Sequence, residues 1–179
     1  KLIAAKTIAV EPTALLKEKL EQAGHIYFPY SHDVPKQSAD VVVSFDTLEH
    51  TLRPDEFLAD VFEVLTPGGF ALIGVPNQDD YLKQICPEYL PFFYHKSHLF
   101  FFSGETLANL ARQAGFKVKE TRYVHKYDLN NMVHWLRDSK GVGKQGCSTF
   151  DAFAEHDFRS NLERMGSASH VMVILHKEL

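Results

Sequence analysis

The stretch Asp40-Val41-Val42-Val43-Ser44-Phe45-Asp46-Thr47-Leu48-Glu49-His50 decides the fold of this 179-residue chain. Its unbroken valine run predicts a strand that is buried on both faces, as in the middle of a parallel sheet. Residues 54–65 follow as a predicted helix, with a proline in the first turn and apolar residues at helical spacing. A Pro-Gly-Gly turn at 66–69 then leads into a second predicted buried strand at 70–75.

Strands and helices alternate along the rest of the chain. Further strands are predicted at 7–10, 25–28, 116–124 and 171–175, and further helices at 14–23, 103–114 and 150–165, with a short one at 81–85. This order predicts an α/β fold with a doubly wound, mostly parallel sheet, in a single domain that spans residues 1–179. A glycine-rich, polar excursion at 139–149 is expected to be flexible.

Composition narrows the function classes. The formal charge of −4 gives no electrostatic case for nucleic acid, and no apolar stretch approaches the roughly 20 residues that span a bilayer. The start of the chain lacks a signal peptide pattern, and the only cysteines, Cys86 and Cys147, are far apart. We therefore expect a cytoplasmic protein. Neither Cys-x-x-Cys nor His-Glu-x-x-His occurs, so no metal site is predicted.

Two motifs together resemble a known family. Leu48-Glu49-His50, followed some twenty residues later by Leu65-Thr66-Pro67-Gly68-Gly69, resembles the class I S-adenosylmethionine-dependent methyltransferases, of the type 11, 12 and 23 groups. The resemblance continues through Val75-Pro76-Asn77 and the His98 to Phe116 segment, and covers roughly residues 8–118. It implies a Rossmann-like fold with S-adenosylmethionine as the cofactor. A weaker similarity around residues 127–136 points to enzymes of sugar or cell-surface polysaccharide pathways.

The family's first strand and its glycine-rich loop have no counterpart before Glu11. In the family that strand lies between the strands predicted here at 7–10 and 40–45. Without it, two rows of backbone hydrogen-bonding groups would face each other unpaired. We therefore expect an upstream segment to supply the strand; a truncated, inactive domain is the alternative.

The expected cofactor site lies beyond the carboxyl ends of the strands, where ligands of such sheets bind. Glu11 is an acid at a strand tip that can accept hydrogen bonds from a ribose, although a helix dipole would also favour it there. The resemblance assigns Glu11 to the ribose. It places Tyr30 and Ser31 beside the adenine. It places Ser44, Phe45 and Asp46 beside the methionine portion of the cofactor. Tyr30 and Ser31 stand where the family usually has an acidic residue.

The expected catalytic residues are His50, His98 and Tyr94. Histidine suits a general base because its pKa lies near working pH. Each histidine can equally be a structural hydrogen-bonding residue, while His95 is expected to be solvated and Trp135 to be buried or to stack on a sugar.

The predicted function is methyl transfer to a small-molecule acceptor, with a sugar or polysaccharide precursor as the finer expectation. A non-catalytic binding module of the same fold and a nicotinamide-dependent dehydrogenase are the alternatives. The acceptor atom and the oligomeric state stay open.

Overall fold

The computed structural model describes residues 4–143 and 149–179. Its strands form two sheets. The strands are β1 (Ile8–Val10), β2 (Ile26–Phe28), β3 (Ala39–Phe45), β4 (Leu65–Pro76), β5 (Lys117–Val124) and β6 (His170–His176). The helices are α1 (Lys17–Gln22), α2 (Pro54–Val64), α3 (Tyr81–Ile85), α4 (Leu90–Phe93), α5 (Gly104–Gln113), α6 (Leu129–Asp138) and α7 (Ala152–Arg164).

Strand directions confirm the predicted α/β class. β1 pairs with β2 in parallel, and the second sheet has the order β3-β4-β6-β5. In that sheet β3 is parallel to β4, while β6 is antiparallel to both of its neighbours. Three of its four strands therefore share one direction, and their carboxyl ends meet at one edge. The start of β6 lies at that same edge because β6 runs the opposite way.

The core forms where α2 and α5 pack on the larger sheet. A capping box of Ser103 and Thr106 starts α5, at the position where the predicted helix 103–114 begins. The core residues are apolar and fully buried or nearly so, and they include Leu48, Leu58, Val61, Ile73, Val75, Leu107, Ala111, Val171 and Val173. A second, aromatic cluster joins Tyr89, Phe93 and Trp135, so Trp135 takes the buried position that was one of its two expected roles.

β3 is not buried on both faces, and that prediction was wrong. Val41, Val43 and Phe45 are 58%, 57% and 50% exposed. The physical reason is that β3 has a neighbouring strand on one side only in the described residues. Within residues 4–143 and 149–179, β3 pairs only with β4, and the β1–β2 sheet is not hydrogen-bonded to it. The predicted strand between β1 and β3 is not among the described residues and stays a prediction.

Other predictions differ in detail. The helix predicted at 14–23 is a short 3₁₀ turn, Ala14–Leu16, followed by α1. Helix α6 was not predicted, although Asp128 caps it by accepting a hydrogen bond from the Asn131 backbone N–H. Part of the 139–149 excursion, residues 144–148, lies outside the described residues. None of the helices in the described ranges is long and apolar enough to cross a membrane.

Candidate functional site

The carboxyl end of β3 turns sharply into the site. Asp46, the next residue, has a φ of 52°, and its backbone N–H donates to the Gly74 carbonyl oxygen at 2.9 Å. The Asp46 carboxylate lies 2.7 Å from Lys126 Nζ and 3.3 Å from His170 Nε2. This contact ties the end of β3 to the segment after β5 and to the start of β6.

The Leu48–His50 3₁₀ turn comes next, and its three side chains differ in burial. Leu48 and Glu49 are buried, whereas His50 is exposed at the surface of the turn. The Glu49 backbone carbonyl accepts hydrogen bonds from the amides of Leu99 and Phe100, at 2.8 and 3.2 Å. These bonds bring the 98–100 segment against the turn, although about 50 residues separate the two in sequence.

Three imidazole rings meet at this junction. His50 and His98 have ring centroids 4.8 Å apart, and His95 and His98 have centroids 3.7 Å apart. His50 Nδ1 lies 2.6 Å from the Ser97 carbonyl oxygen. A carbonyl oxygen only accepts, so Nδ1 carries the proton and, in the neutral ring, Nε2 offers its lone pair to the site. His98 Nδ1 is buried without a hydrogen-bond partner among the described residues.

Glu49 is the most unusual side chain of the site. The residue is 1% exposed, and neither carboxylate oxygen has a hydrogen-bond partner in the described part of the chain. Its Oε1 lies 3.9 Å from His50 Nε2, too far for a hydrogen bond. Burial raises the pKa of Glu49, and the electrostatic influence of its own backbone amide and of His50 only partly opposes this.

Burial also affects the site's histidines. It lowers the pKa of His98 to about 4, with the neighbouring His95 and His50 acting in the same direction. It lowers the pKa of His170 to about 4, with Lys126 adding to the effect and Asp46 opposing it. Both rings are therefore neutral at pH 7.

These groups line a cleft of about 200 Å³ at the carboxyl edge of the sheet. Its polar lining is Asp46, Glu49, His50, His95, His98, Ser169 and His170, and its other walls are Pro76, Tyr89, Phe92, Phe93 and Tyr127. A second hollow of about 250 Å³ shares Tyr89, Phe92 and Tyr127 with the cleft and adds Asn131, Trp135, Lys140, Gly141 and Gly143. Three aromatic rings thus separate a polar cleft from a largely apolar neighbour.

The cleft gathers three of the predicted site residues, Asp46, His50 and His98. Tyr94 is outside its lining. Its hydroxyl accepts a hydrogen bond from Gln78 Nε2 at 3.1 Å, and its ring packs edge-on against Phe101. Hydrogen bonding with Lys83 lowers the pKa of Tyr94.

The predicted cofactor residues other than Asp46 lie outside the cleft. Glu11 Oε1 accepts a hydrogen bond from the Thr13 backbone N–H at 2.8 Å. Hydrogen bonding with the Thr13 side chain, and then with this backbone N–H, lowers the pKa of Glu11. The Ser31 hydroxyl donates to Asp60 of α2 at 2.6 Å, and Tyr30 stacks on His32. Ser44 and Phe45 end β3, next to the edge of that strand that has no strand partner within the described ranges.

Sequence reasoning gave no role to Glu49, Lys126 or His170. Glu49 stood inside the quoted Leu-Glu-His motif, so the motif itself could have drawn attention to it. Lys126 and His170 carried no signal, because the pairings of β3 with β4, β4 with β6 and β6 with β5 bring them beside Asp46. A reversed strand of this kind is not visible in hydrophobic periodicity.

Comparison with known proteins places this site in context. A family described as "Methyltransferase domain" matches residues 2–121. A curated protein of Mycolicibacterium smegmatis, named "Probable S-adenosylmethionine-dependent methyltransferase", is 34% identical over 88 residues, which are 49% of this chain and 32% of that protein. The chain therefore spans about a third of the length of that relative.

Solved structures agree in fold. One is a methyltransferase of Thermotoga maritima, described as dependent on S-adenosylmethionine, with a TM-score of 0.62 and 19% identity. The superposition covers 96% of this chain and 73% of that one. Another such enzyme, from Archaeoglobus fulgidus, has a TM-score of 0.59 and 16% identity, over 95% of this chain and 75% of its own.

Proposed function

This chain belongs to the class I methyltransferase family, whose cofactor is S-adenosylmethionine, and we propose that it transfers the cofactor's methyl group to a small-molecule acceptor in the cytoplasm. One observation carries the proposal. Asp46, His50 and His98 all line the cleft at the carboxyl edge of the sheet. This is the edge at which α/β sheets bind ligands. Asp46 directly follows the strand expected to line the cofactor, and the two histidines lie on the acceptor side of it.

On the cofactor side we propose that Glu11 binds the ribose, that Tyr30 and Ser31 lie near the adenine, and that Ser44 and Phe45 line the methionine portion. The position of Glu11 supports this, because Glu11 directly follows β1 as Asp46 directly follows β3. Its carboxylate is held by the Thr13 amide, so it is fixed in orientation and remains ionised.

On the acceptor side we propose that the aromatic walls of the cleft hold a sugar or a polysaccharide precursor. Phe92 and Tyr127 offer apolar ring surface next to polar imidazoles, a combination that suits a sugar ring with hydroxyls on its edges. Trp135 stands edge-on to Tyr89, at a centroid distance of 5.0 Å, in the adjoining hollow.

The chemistry needs alignment above all, because a sulfonium is already an activated leaving group. Proximity and orientation contribute roughly 7–11 kcal/mol to such reactions in favourable cases. An acceptor hydroxyl must also lose its proton, and we propose that His50 and His98 promote that loss. Direct proton acceptance by one imidazole is the simplest form of this role. Tyr94 would contribute as a polar neighbour of the cleft rather than as part of its lining.

Calorimetric titration with S-adenosylhomocysteine tests the cofactor half of the proposal. Micromolar binding is expected, and substitution of Glu11 by Ala should weaken it. If the natural full-length protein binds neither this compound nor S-adenosylmethionine, the chain is a non-catalytic member of its family and the proposal fails.

Transfer of a radiolabelled methyl group to a panel of nucleotide sugars tests the acceptor half. His50→Ala and His98→Ala should each keep cofactor affinity and lower turnover by about 100-fold, the usual lower range for loss of acid–base assistance. His156→Ala is the matched control, because His156 is an exposed histidine on α7 outside the cleft. Full turnover in both cleft variants would remove the histidines from the mechanism.

A further inference from the structure

Three side chains in the cleft converge as ligands of one ion would. Glu49, His50 and His98 each present a donor atom, and these atoms all lie within 4.8 Å of one another. Donors bound to one ion at about 2.1 Å lie roughly 3–4 Å apart for bond angles near 90–135°. The 3.9 Å between Glu49 Oε1 and His50 Nε2 falls in that range. The widest separation among the three donor atoms, at most 4.8 Å, exceeds that range by under about 1 Å.

The buried carboxylate provides an independent reason. A carboxylate withdrawn from water without a partner is costly, and buried charges are ordinarily paired or bound to metal. Glu49 has no hydrogen-bond donor at either oxygen among the described residues, and His50 Nε2, 3.9 Å from Oε1, is too distant for a hydrogen bond. Both oxygens thus lack the partner that their burial demands.

The orientation of His50 adds a third observation. Histidines that bind metals usually donate their other ring N–H to a carbonyl or carboxylate, which fixes the ring and exposes the lone pair. His50 Nδ1 donates to the Ser97 carbonyl at 2.6 Å, and this leaves Nε2 directed at Glu49. His98 adds a buried Nδ1 without a partner in the described residues.

We propose that Glu49, His50 and His98 bind one divalent transition-metal ion, such as Zn²⁺, Mn²⁺ or Co²⁺. Two imidazoles and one carboxylate are a mixed nitrogen and oxygen donor set that suits these ions better than Mg²⁺ or Ca²⁺. The sequence predicted no metal site because the ligands are divided between residues 49–50 and residue 98, and the fold alone brings them together.

The role of the ion rests on the proposed function. Three protein ligands leave coordination positions open toward the cleft, where an acceptor hydroxyl would bind. The bound hydroxyl loses its proton to water more easily, its oxygen forms a bond to the methyl carbon, and the carbon–sulfur bond breaks with its electron pair passing to the sulfonium sulfur. The two histidines then act through the ion, instead of accepting the proton themselves.

Co²⁺ titration of the wild-type chain tests metal binding directly, after dialysis against a chelator. One equivalent should bind and produce visible absorption bands. Glu49→Gln and His98→Ala should each weaken binding by about 100-fold or more, since even the loss of outer partners of metal ligands costs 10–100-fold. His156→Ala should bind as the wild type does. His50→Ala is the third ligand variant and the one least prone to misfold, because its side chain is 40% exposed.

The outcomes separate the metal site from the function. Absence of stoichiometric Co²⁺ binding in the wild type, or binding that folded Glu49→Gln and His50→Ala proteins retain, overturns the site. Co²⁺ binding without affinity for S-adenosylhomocysteine would keep the site and refute the proposed function. Cofactor binding and methyl transfer that withstand the chelator would refute the metal role and leave a histidine base in its place.

Discussion

Acid should destabilise this protein through His125, a residue outside the cleft. The ring is 5% exposed and packs edge-on against Phe158, at a centroid distance of 5.1 Å. Its Nδ1 accepts a hydrogen bond from the Ser169 backbone N–H at 3.1 Å, so a proton on that nitrogen would face another donor. Burial lowers the pKa of His125 to about 4; Arg159 acts in the same direction and Glu155 opposes it.

The sign and size of the effect follow from linkage. The neutral ring is favoured in the folded state, so the stability is complete above pH 6.5 and is lost as pH falls toward 4. The pKa of His125 is about 4 in the folded state and near 6.5 in the unfolded state. This difference lowers the free energy of unfolding by about 2 kcal/mol at pH 5. At pH 4 the loss is about 3 kcal/mol, a large part of the 5–15 kcal/mol typical of a domain.

Urea unfolding of wild type and His125→Asn between pH 4 and 7 measures this. Asparagine offers an oxygen near the position of Nδ1 and does not titrate, so the variant should lose stability by a constant amount from missing ring contacts. The difference between the two proteins should shrink by about 2 kcal/mol from pH 7 to pH 5. Taking this difference removes the contributions of other titrating groups, including His170. A difference that stays constant across the range would refute the reasoning.

Two buried polar side chains give further stability predictions. Asn77 donates from Nδ2 to two backbone carbonyls ahead of β6 and accepts a hydrogen bond from the Asp79 amide. Asn77→Ala should therefore lower the free energy of unfolding by about 3 kcal/mol. The control Asn109→Ala, at an exposed position, should lower it by much less. Lys177 Nζ donates to two carbonyls at the end of α2, at 2.7 and 2.9 Å, so Lys177→Met should cost about 3 kcal/mol. The exposed Lys117→Met should cost under about 1 kcal/mol, and urea midpoints that rank either pair in reverse would contradict the assignment.

The sequence predicted most of the fold because the fold depends on local signals. The apolar spacing of α2 and the start of α5 each act within a few residues, and both helices appear where they were predicted, whereas the turn predicted at 66–69 lies inside β4, which begins at Leu65. Burial of β3 was mispredicted for a non-local reason. A run of valines indicates what a strand can bury, whereas its actual exposure depends on which segments cover it.

The residues of the site also fall into those that local sequence signals predict and those that depend on contacts between distant segments. Asp46 and His50 were accessible to sequence reasoning because both follow a recognisable strand directly. The remaining contacts of the cleft depend on pairings between distant segments, such as the two amides at 99 and 100 that donate to the Glu49 carbonyl. No pattern within one segment encodes such a pairing, and this is why Lys126 and His170 had no predicted role.

Glu49 shows how a local motif and a non-local contact combine. In the Leu-Glu-His turn the side chain of Glu49 is buried. Stability alone would favour an apolar or hydrogen-bonded residue at this position, because a buried polar group without a partner costs about 1–3 kcal/mol. The turn instead directs a carboxylate at two imidazoles that reach it from separate positions in the chain. The strain of that arrangement is relieved by a proton on Glu49 or by a cation between the three groups. A cation would also make use of His50 Nε2, which the hydrogen bond from Nδ1 to Ser97 leaves 3.9 Å from the carboxylate, beyond hydrogen-bonding distance.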